Sequence, residues 1–256
     1  MPRTGGLILK VIEKSICGNY RDINEDLTGH FYNRTGQPLL LIADGMGGHQ
    51  YGEVASRFVY DKVKSAWEDN NLFNIDEAER FLRELVIKTN HELYDYQDEH
   101  PEYRGMGTTL VLVAIIESSI LVLNVGDSRA YVMNNRKIEQ VTEDHTFVNV
   151  LVASGEITAE EALTHPRRNL ITKAMGTEKV IQADVFRLRG RQYDYVVLAT
   201  DGLTDAVRPD EIHHLMYSSK LTLEQKSAEL TKTAENNKSR DNISVVLADL
   251  KAGGSE

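Results

Sequence analysis

Cysteine and long apolar runs are scarce in this sequence, and each scarcity excludes a class of protein. The 256 residues include one cysteine, Cys17, so no disulfide can form within the chain. No apolar stretch reaches the roughly 18 residues that a membrane-spanning helix needs. The first residues also lack the longer apolar region of a secretory signal. We therefore expect a protein of the cytoplasm, where thiols remain reduced.

Positive charge is also in short supply. Lys and Arg number 29 against 39 Asp and Glu, which gives a formal net charge of -10. Nucleic-acid binding and attachment to anionic membranes rely on clustered Lys and Arg, so we expect neither partner. The chain has no internal repeat, no low-complexity block and no Pro/Gly-rich linker. A single domain over residues 1–256, with a frayed tail at 251–256, is the simplest prediction.

Short runs rich in Val, Ile, Leu and Tyr predict β-strands. They lie at 37–43, 108–116, 120–125, 130–133, 195–200 and 243–250, with a further strand-like run at 7–12. Because several runs are almost continuously apolar, we expect strands buried on both faces. Turn residues at 117–119 and 134–136 predict that the segment 108–141 is a meander of antiparallel strands.

Helical patterns lie between and after these runs. Apolar residues at helical spacing predict helices at 52–67 and 76–97. Thr222 and Gln225 form a capping-box pattern, which predicts the start of a later helix. Helices beside antiparallel strands indicate an α+β domain with sheets inside and helices outside.

Aspartates stand beside apolar runs at four places. Asp44, Asp127 and Asp201 each follow such a run, and Asp241 precedes one. Each alone is most simply part of a turn, because Asp-Gly is a common turn dipeptide. A sheet that presents several aspartates at its strand ends can nevertheless bring their oxygens close together, and Mg²⁺ and Mn²⁺ prefer such ligands. Gly45 permits a tight turn and leaves its carbonyl free as a further ligand.

The segment 21–26 adds an arginine and more carboxylates. Arg21 offers a fork of N–H donors that matches the oxygens of a phosphate group. Taken by itself, a solvated charged loop is an equally good interpretation of this segment.

Six short motifs, taken in order, resemble the series that marks the PPM/PP2C family of protein phosphatases, its bacterial branch in particular. They lie at 21–26, 44–48, 107–109, 126–129, 201–202 and 241–242. The resemblance extends over 17–250, almost the whole chain. Each motif is weak alone, but six in the family's order at compatible separations form a specific signal.

The resemblance implies a fold and an activity. The fold is a four-layer α-β-β-α sandwich, in which two antiparallel sheets are flanked by helix pairs. The activity is hydrolysis of phosphoserine and phosphothreonine in proteins by a water that two metal ions activate. The implied cofactors are Mn²⁺ or Mg²⁺, two ions with room for a third. The implied partners are phosphorylated proteins, with a Ser/Thr kinase and its targets as plausible substrates, and a monomer is the default state.

The same resemblance implies the metal ligands. Asp44 would bridge two metals, and the carbonyl of Gly45 would bind one of them. Asp201 and Asp241 would complete the ligands of the other metal. Asp127, together with Asp201, resembles the acids that hold a third, weaker metal in bacterial members.

The remaining implied roles concern the substrate and the proton. Arg21 would hold the substrate phosphate, so Arg21 and Asp44 are the expected catalytic residues. Glu25 and Asp26 would act through waters on the metals. Some family members carry a histidine, the proposed general acid, where this chain has Met46, which cannot donate a proton. A water on the metals or His49 would then protonate the leaving alkoxide.

The segment 142–177 resembles the mobile flap beside the bacterial catalytic site. Arg167 and Arg168 within it could attract a phosphorylated peptide, although a solvated edge explains them equally well. We assign no catalytic residue to this segment.

Other functions fit less well. A cysteine phosphatase needs an arginine six positions after its cysteine, but Ile23 stands there after Cys17. Zinc-type Cys/His spacing is absent. A catalytically silent binding or regulatory module on the same scaffold is the main alternative. The presence of Asp44, Asp201 and Asp241 argues against it, and against a structural protein that merely shares the architecture.

Overall fold

The computed structural model describes residues 9–47, 51–71 and 73–251. The strands within these ranges are β1 (Lys10–Ile16), β2 (Asp26–Tyr32), β3 (Pro38–Met46), β4 (Gly107–Thr108), β5 (Leu110–Ile116), β6 (Ser119–Val125), β7 (Arg129–Asn134), β8 (Lys137–Gln140), β9 (Asp184–Arg189), β10 (Tyr195–Ala199) and β11 (Ile243–Asp249). The helices are α1 (Gly52–Glu68), α2 (Ile75–Glu99), α3 (Phe147–Ala153), α4 (Ala159–Thr164), α5 (Asp201–Thr204), α6 (Pro209–Met216) and α7 (Leu223–Asn236).

The strands form two antiparallel sheets. One sheet has the order β1-β11-β10-β7-β8, and the other has the order β2-β3-β5-β6-β9 with the short β4 paired to β3. Three apolar clusters separate four layers. The first lies between α1–α2 and the β2-to-β9 sheet, the second between the two sheets, and the third between the other sheet and α5–α7. The expected α-β-β-α arrangement is confirmed.

Strand β3 explains why the sequence shows unbroken apolar runs. Leu39 and Leu41 pack into the cluster beneath α1 and α2, whereas Leu40 and Ile42 pack into the cluster between the sheets. Successive side chains of a strand point to opposite faces, so a strand covered on both sides needs apolar residues at every position. The expected burial of both strand faces is therefore confirmed.

The helices begin as the sequence indicates. Thr222 caps α7: its hydroxyl accepts a hydrogen bond from the Gln225 N–H, and its own N–H donates to the side-chain oxygen of Gln225. The equivalent box at the start of α2 uses Asn74 and Glu77. Both long predicted helices are present and end within two residues of the expected positions. None of the described helices combines the length and the apolarity needed to cross a membrane.

The predicted meander over 108–141 is wrong. Strands β5 and β6 form a hairpin in one sheet, but β7 and β8 form a hairpin in the other. The chain changes sheets at Gly126, whose φ of +108° is a conformation that favours glycine. The adjacent Asp127 and Ser128 look like hairpin residues in sequence, yet here they join the two sheets.

Other elements were not predicted. Strands β2 and β9 and the helices α3–α6 are short, or mix polar and apolar residues without a clear period. The strand-like run at 7–12 begins later than expected, at Lys10, and residues 1–8 lie outside the described ranges. Of the tail at 251–256, the structure describes only Lys251.

Burial of apolar side chains between the two sheets contributes to the stability of the fold, and Leu40 tests this contribution. Leu40 is fully buried in the cluster between the sheets. We expect Leu40→Ala to lower the free energy of unfolding by about 2–5 kcal/mol, because it removes buried methyl groups and leaves a cavity. Ile87→Ala, at a position that is 42% exposed on α2, is the control and should change it by less than about 1 kcal/mol. Urea unfolding measures both, and equal effects would contradict this assignment.

Candidate metal centre

Acidic side chains from both sheets meet at one end of the sandwich. Asp26 and Asp44 are direct partners in the antiparallel register of β2 and β3. Thr200, which follows β10 in the other sheet, donates its hydroxyl to Asp26 Oδ2 at 2.9 Å. Asp201 follows Thr200 and opens α5. The contact between β2 and β10 thus brings the strand-end carboxylates of the two sheets together.

The backbone of Asp44 is held by the threonine pair of the 107–109 motif. The Asp44 N–H donates to Thr109 Oγ1 at 2.9 Å, and its carbonyl accepts from the Thr109 N–H at 2.8 Å and from Thr108 Oγ1 at 2.9 Å. The Thr109 hydroxyl also bonds the hydroxyl of Ser128 at 2.7 Å. The 107–109 motif therefore links Asp44 to the turn that carries Asp127, and it leaves the Asp44 carboxylate uncommitted to the backbone.

Two glycines allow α1 to start against the end of β3. A Cβ on Gly45 would lie 2.2 Å from the carbonyl oxygen of Gly52, and a Cβ on Gly52 would lie 2.6 Å from Glu25 Oε1. The Gly52 N–H donates to this same Glu25 oxygen at 3.0 Å, and the Gly45 N–H donates to the Glu25 carbonyl at 3.2 Å. Any side chain at either glycine would push β3 and α1 apart, and with them the carboxylates of Glu25 and Asp44.

Asn242 fixes the position of Asp241. Its amide nitrogen donates to the carbonyls of Cys17 and Ile23, and its amide oxygen accepts from the Glu25 N–H at 2.9 Å. These bonds tie the start of β11 to the segment that carries Glu25, more than 200 positions earlier in the chain. Asp241 is thereby held beside the carboxylates of β2 and β3.

Arg21 lies at the same edge and is partly exposed. Its Nη2 donates to Asp241 Oδ2 at 2.6 Å, and its Nε donates to the Arg240 carbonyl at 3.3 Å. The side chain remains 45% exposed, so part of the guanidinium faces solvent. Burial lowers the pKa of Arg21, but the charge of Asp241 and its hydrogen bond outweigh this and raise it. Arg21 is therefore a fixed positive charge at the mouth of an acidic recess.

Asp127 sits where the chain crosses between the sheets. A Cβ on Gly126 would lie 2.6 Å from the side chain of Thr109, so only glycine fits before Asp127. Two residues later, Arg129 makes a bidentate ion pair with Asp144, with contacts of 2.6–3.0 Å. Asp144 belongs to the segment 142–177. The turn that carries Asp127 is thus joined to this segment by a largely buried ion pair.

Burial beside other carboxylates raises the pKa of several acids in the centre. Burial, followed by the neighbouring carboxylates, holds the pKa of Asp44 well above its ordinary value. Burial also raises the pKa of Asp26 and of Asp201 to about 7, and that of Asp127 to about 8. These carboxylates favour protons because each is desolvated beside other negative charges. A cation that binds here must displace those protons, and would relieve the same repulsion.

The unpaired oxygens of the centre test whether divalent cations suit it. Five buried side-chain atoms in the described residues lack a hydrogen-bond partner, and three of them are oxygens of Asp26, Asp127 and Asp201. Unpaired buried carboxylate oxygens are costly unless a cation binds them. Across the same residues, no three His, Cys, Asp or Glu side chains are grouped tightly enough to hold a metal alone. The acids fit hard cations that also accept carbonyl and water oxygens.

Similarity to known proteins covers nearly the whole chain. The model of the family described as Protein phosphatase 2C matches residues 21–248. The chain belongs to this family. The serine/threonine phosphatase Stp of Listeria monocytogenes is 37% identical over 233 residues, which make up 91% of this chain and 92% of that protein.

Solved phosphatase 2C structures share the fold. The crystal structure of the serine/threonine phosphatase Stp1 from Staphylococcus aureus has a TM-score of 0.92 and 49% identity, and covers 95% of this chain and 96% of that one. The crystal structure of the catalytic domain of the phosphatase PstP in complex with 2 manganese ions has a TM-score of 0.81 and 30% identity. It covers 94% of this chain and 97% of that one. The resemblance drawn from the six motifs is confirmed at the level of family and fold.

In this phosphatase 2C chain, all the expected site residues lie at the same end of the sandwich. Sequence reasoning missed the supporting groups, above all the side-chain contacts of Asn242 and the hydroxyl of Thr200. Asn242 belongs to the 241–242 motif, but local sequence does not reveal the contacts of either side chain, because each acts on a residue far away in the chain. Met46 ends β3 beside the centre, whereas His49 lies outside the described residues.

The segment 142–177 contains α3 and α4 and borders the cluster of acids. Arg167 lies over the ring of Phe147, 5.8 Å from its centroid. Arg168 instead lines a recess of about 440 Å³ together with Arg21 and Asp241. The structure therefore separates the two arginines that the sequence presents as a pair.

The raised pKa values predict how the metal-free protein responds to pH. Between about pH 4 and pH 8 the folded protein retains protons on Asp26, Asp127 and Asp201 that the unfolded chain has released. Stability from these groups is therefore present at low pH and lost as pH rises through this window. We expect the urea midpoint in EDTA to fall from pH 6 to pH 8.

The matched control for this prediction is Asp201→Asn, which removes one of the titrating groups and should flatten the slope. With Mn²⁺ in place of EDTA the trend should weaken or reverse, because protons compete with the cation. A wild-type midpoint in EDTA that rises with pH, with the same slope in Asp201→Asn, would contradict the explanation.

Proposed function

We propose that this protein is a metal-dependent phosphatase that removes phosphate from phosphoserine and phosphothreonine in proteins. The observation that carries the proposal is the set of unpaired, buried carboxylate oxygens beside a fixed arginine. The first feature suits divalent cations and the second suits a phosphate group. Relatives named as serine/threonine phosphatases cover more than nine-tenths of the chain, which supports the same chemistry.

The acids divide into groups with different proposed tasks. Asp44 and the Gly45 carbonyl would hold one cation, and Asp44 with Asp201 and Asp241 would hold the second. Asp127, with Asp201, would hold a third, weaker one. Two divalent cations supply an activated water and neutralise charge on the phosphoryl group. The PstP structure with 2 manganese ions supports the number and type of metal, and we propose Mn²⁺ or Mg²⁺ for this chain.

The other residues of the chain position the substrate and the acids. Arg21 would orient the substrate by donating N–H groups to phosphate oxygens, and it is aimed by its contacts with Asp241 and the Arg240 carbonyl. Glu25, anchored on the N-terminus of α1, and Asp26, bonded to Thr200, would act through waters.

The proton for the leaving alkoxide has two proposed sources. Met46 has no proton to give, so the donor is either water at the centre or His49. No observation in the described residues favours a catalytically silent module.

The biological setting is part of the proposal. Phosphorylated proteins are the substrates, and a Ser/Thr kinase and its targets are the natural candidates. We propose a single domain that acts as a monomer in the cytoplasm, which agrees with a chain that has one cysteine and no internal disulfide.

Removing one proposed ligand should abolish turnover without unfolding the protein. For Asp44→Asn and Asp201→Asn we expect kcat on a phosphothreonine peptide with Mn²⁺ to fall by about 10³-fold or more, since each change removes a charge that positions a cation. The variants should stay folded, because they relieve repulsion among buried acids. Circular dichroism and phosphate release measure the two effects.

Asp98→Asn is the matched control, since Asp98 is exposed on α2, and it should retain wild-type turnover. Wild-type rates in Asp44→Asn would refute the proposed centre. Loss of hydrolysis by the wild type on replacing Mn²⁺ with EDTA is the companion result, and hydrolysis that survives EDTA would count against metal dependence.

Arg21 should affect substrate binding more than the chemical step. We expect Arg21→Ala to raise KM about tenfold and to lower kcat by a smaller factor, because the guanidinium binds phosphate in the ground state. Arg21→Lys keeps the charge without the fork of donors and should give an intermediate KM. A large drop in kcat with KM unchanged would contradict this role.

A further inference from the structure

A recess of about 440 Å³ opens beside the proposed phosphate site, and its outer part is basic. The cationic residues that line it are Arg21, Arg168, Lys238 and Arg240. The acids are Asp201 and Asp241, which belong to the centre, and Asp205, which accepts a hydrogen bond from Asn169 at 3.2 Å. Four positively charged side chains around one opening are unusual in a chain whose net charge is -10.

Three of these cations have no acidic partner among the described residues. Arg21 is paired with Asp241, whereas Arg168, Lys238 and Arg240 are exposed and form no ion pair within ranges 9–47, 51–71 and 73–251. Long side chains that are not tied to a carboxylate of their own protein are free to meet anions from outside. We call Arg168, Lys238 and Arg240 the basic rim.

Side-chain hydrogen bonds hold the loop that carries two rim residues, Lys238 and Arg240. Ser239 Oγ donates to the Gly202 carbonyl at 2.7 Å, and Asn237 Nδ2 donates to the Ala206 carbonyl at 2.8 Å. The Arg240 carbonyl accepts from Arg21. Lys238 and Arg240 therefore stand on the same loop that aims the proposed phosphate-binding arginine.

Lys238 occupies a backbone position that favours glycine. It follows the C-cap of α7 with a φ of +63°, and the N–H groups of Lys238 and Ser239 bond back to the carbonyls of Glu235 and Ala234. This is the Schellman pattern, in which glycine is the usual residue at the left-handed position. A lysine there is strained. This strained position places the positive charge of Lys238 at the recess.

We propose that the basic rim, and Lys238 and Arg240 in particular, selects phosphopeptides whose phosphorylated residue is flanked by acidic side chains. The inference rests on the proposed phosphatase function. While Arg21 holds the phosphate that is removed, the rim meets carboxylates on the neighbouring substrate residues. Exposed ion pairs are weak singly, at a few-fold each, and are screened by salt. The preference is therefore moderate and depends on ionic strength.

The test compares two phosphothreonine peptides, one flanked by Glu and one by Gln, with the full chain in Mn²⁺. We expect the wild type to favour the Glu peptide about three- to tenfold in kcat/KM at low salt, and less in 0.5 M NaCl. The double variant Lys238→Glu/Arg240→Glu should lose or reverse the preference. Arg80→Glu/Lys88→Glu, with the same charge change on exposed positions of α2, is the matched control and should keep it.

Lys238→Gly separates charge from structure. Because glycine suits the left-handed position, this variant should melt no lower than the wild type while its preference for the Glu peptide weakens. A wild type without preference, or a rim double variant that keeps it, would overturn the proposal. If the wild type hydrolyses neither peptide nor p-nitrophenyl phosphate with Mn²⁺, the phosphatase function itself fails, and the rim proposal with it.

Discussion

Repulsion among buried carboxylates is the constraint on which the rest of the structure depends. Asp26, Asp44, Asp127 and Asp201 are desolvated at one end of the sandwich, and the pKa of each is raised. A folded chain that keeps these acids together gives up stability unless protons or cations neutralise them. The extensive apolar packing of two sheets and two helix layers supplies the stability that offsets this repulsion. The acids are thus already grouped in the folded chain without a cation, through the β2–β3 register and the contacts of Thr200 and Asn242.

The acids stay in place because backbone elements approach more closely than side chains would allow. A Cβ on Gly202 would lie 1.9 Å from the Asn242 carbonyl, and one on Gly45 would lie 2.2 Å from the Gly52 carbonyl. Each contact joins an element that carries an acid to a neighbouring element. The Asp-Gly pairs that look like simple turns in sequence are therefore sites of interlocking backbone. The glycine is as specific a requirement as the aspartate before it.

Local sequence predicted much of the fold, and the elements it missed are those that depend on contacts between distant parts of the chain or that lack an apolar pattern. Strands such as β3 were evident because both faces are buried, and Asp44 and Asp201 stood out because they follow unbroken apolar runs. Strand β2 was missed because Gly29 and His30 interrupt its apolar character. The prediction of a meander was wrong because the turn at Gly126, where the chain changes sheets, has the same residue types as a hairpin turn. Convergence of the acids depends on the β2–β3 register and on Asn242, and contacts across more than 200 positions leave no local pattern.

The arrangement of charge explains how an acidic protein can receive an anionic substrate. The carboxylates are buried at the meeting of the sheets, where bound cations would neutralise them, while Arg21 and the basic rim face solvent. An approaching phosphopeptide would therefore meet positive charge first, although the chain as a whole is negative. At ordinary ionic strength, salt screens the interaction between exposed charges that lie more than about 10 Å apart. The nearby rim then outweighs the remote acids, so the net charge of -10 does not set the field that the substrate meets.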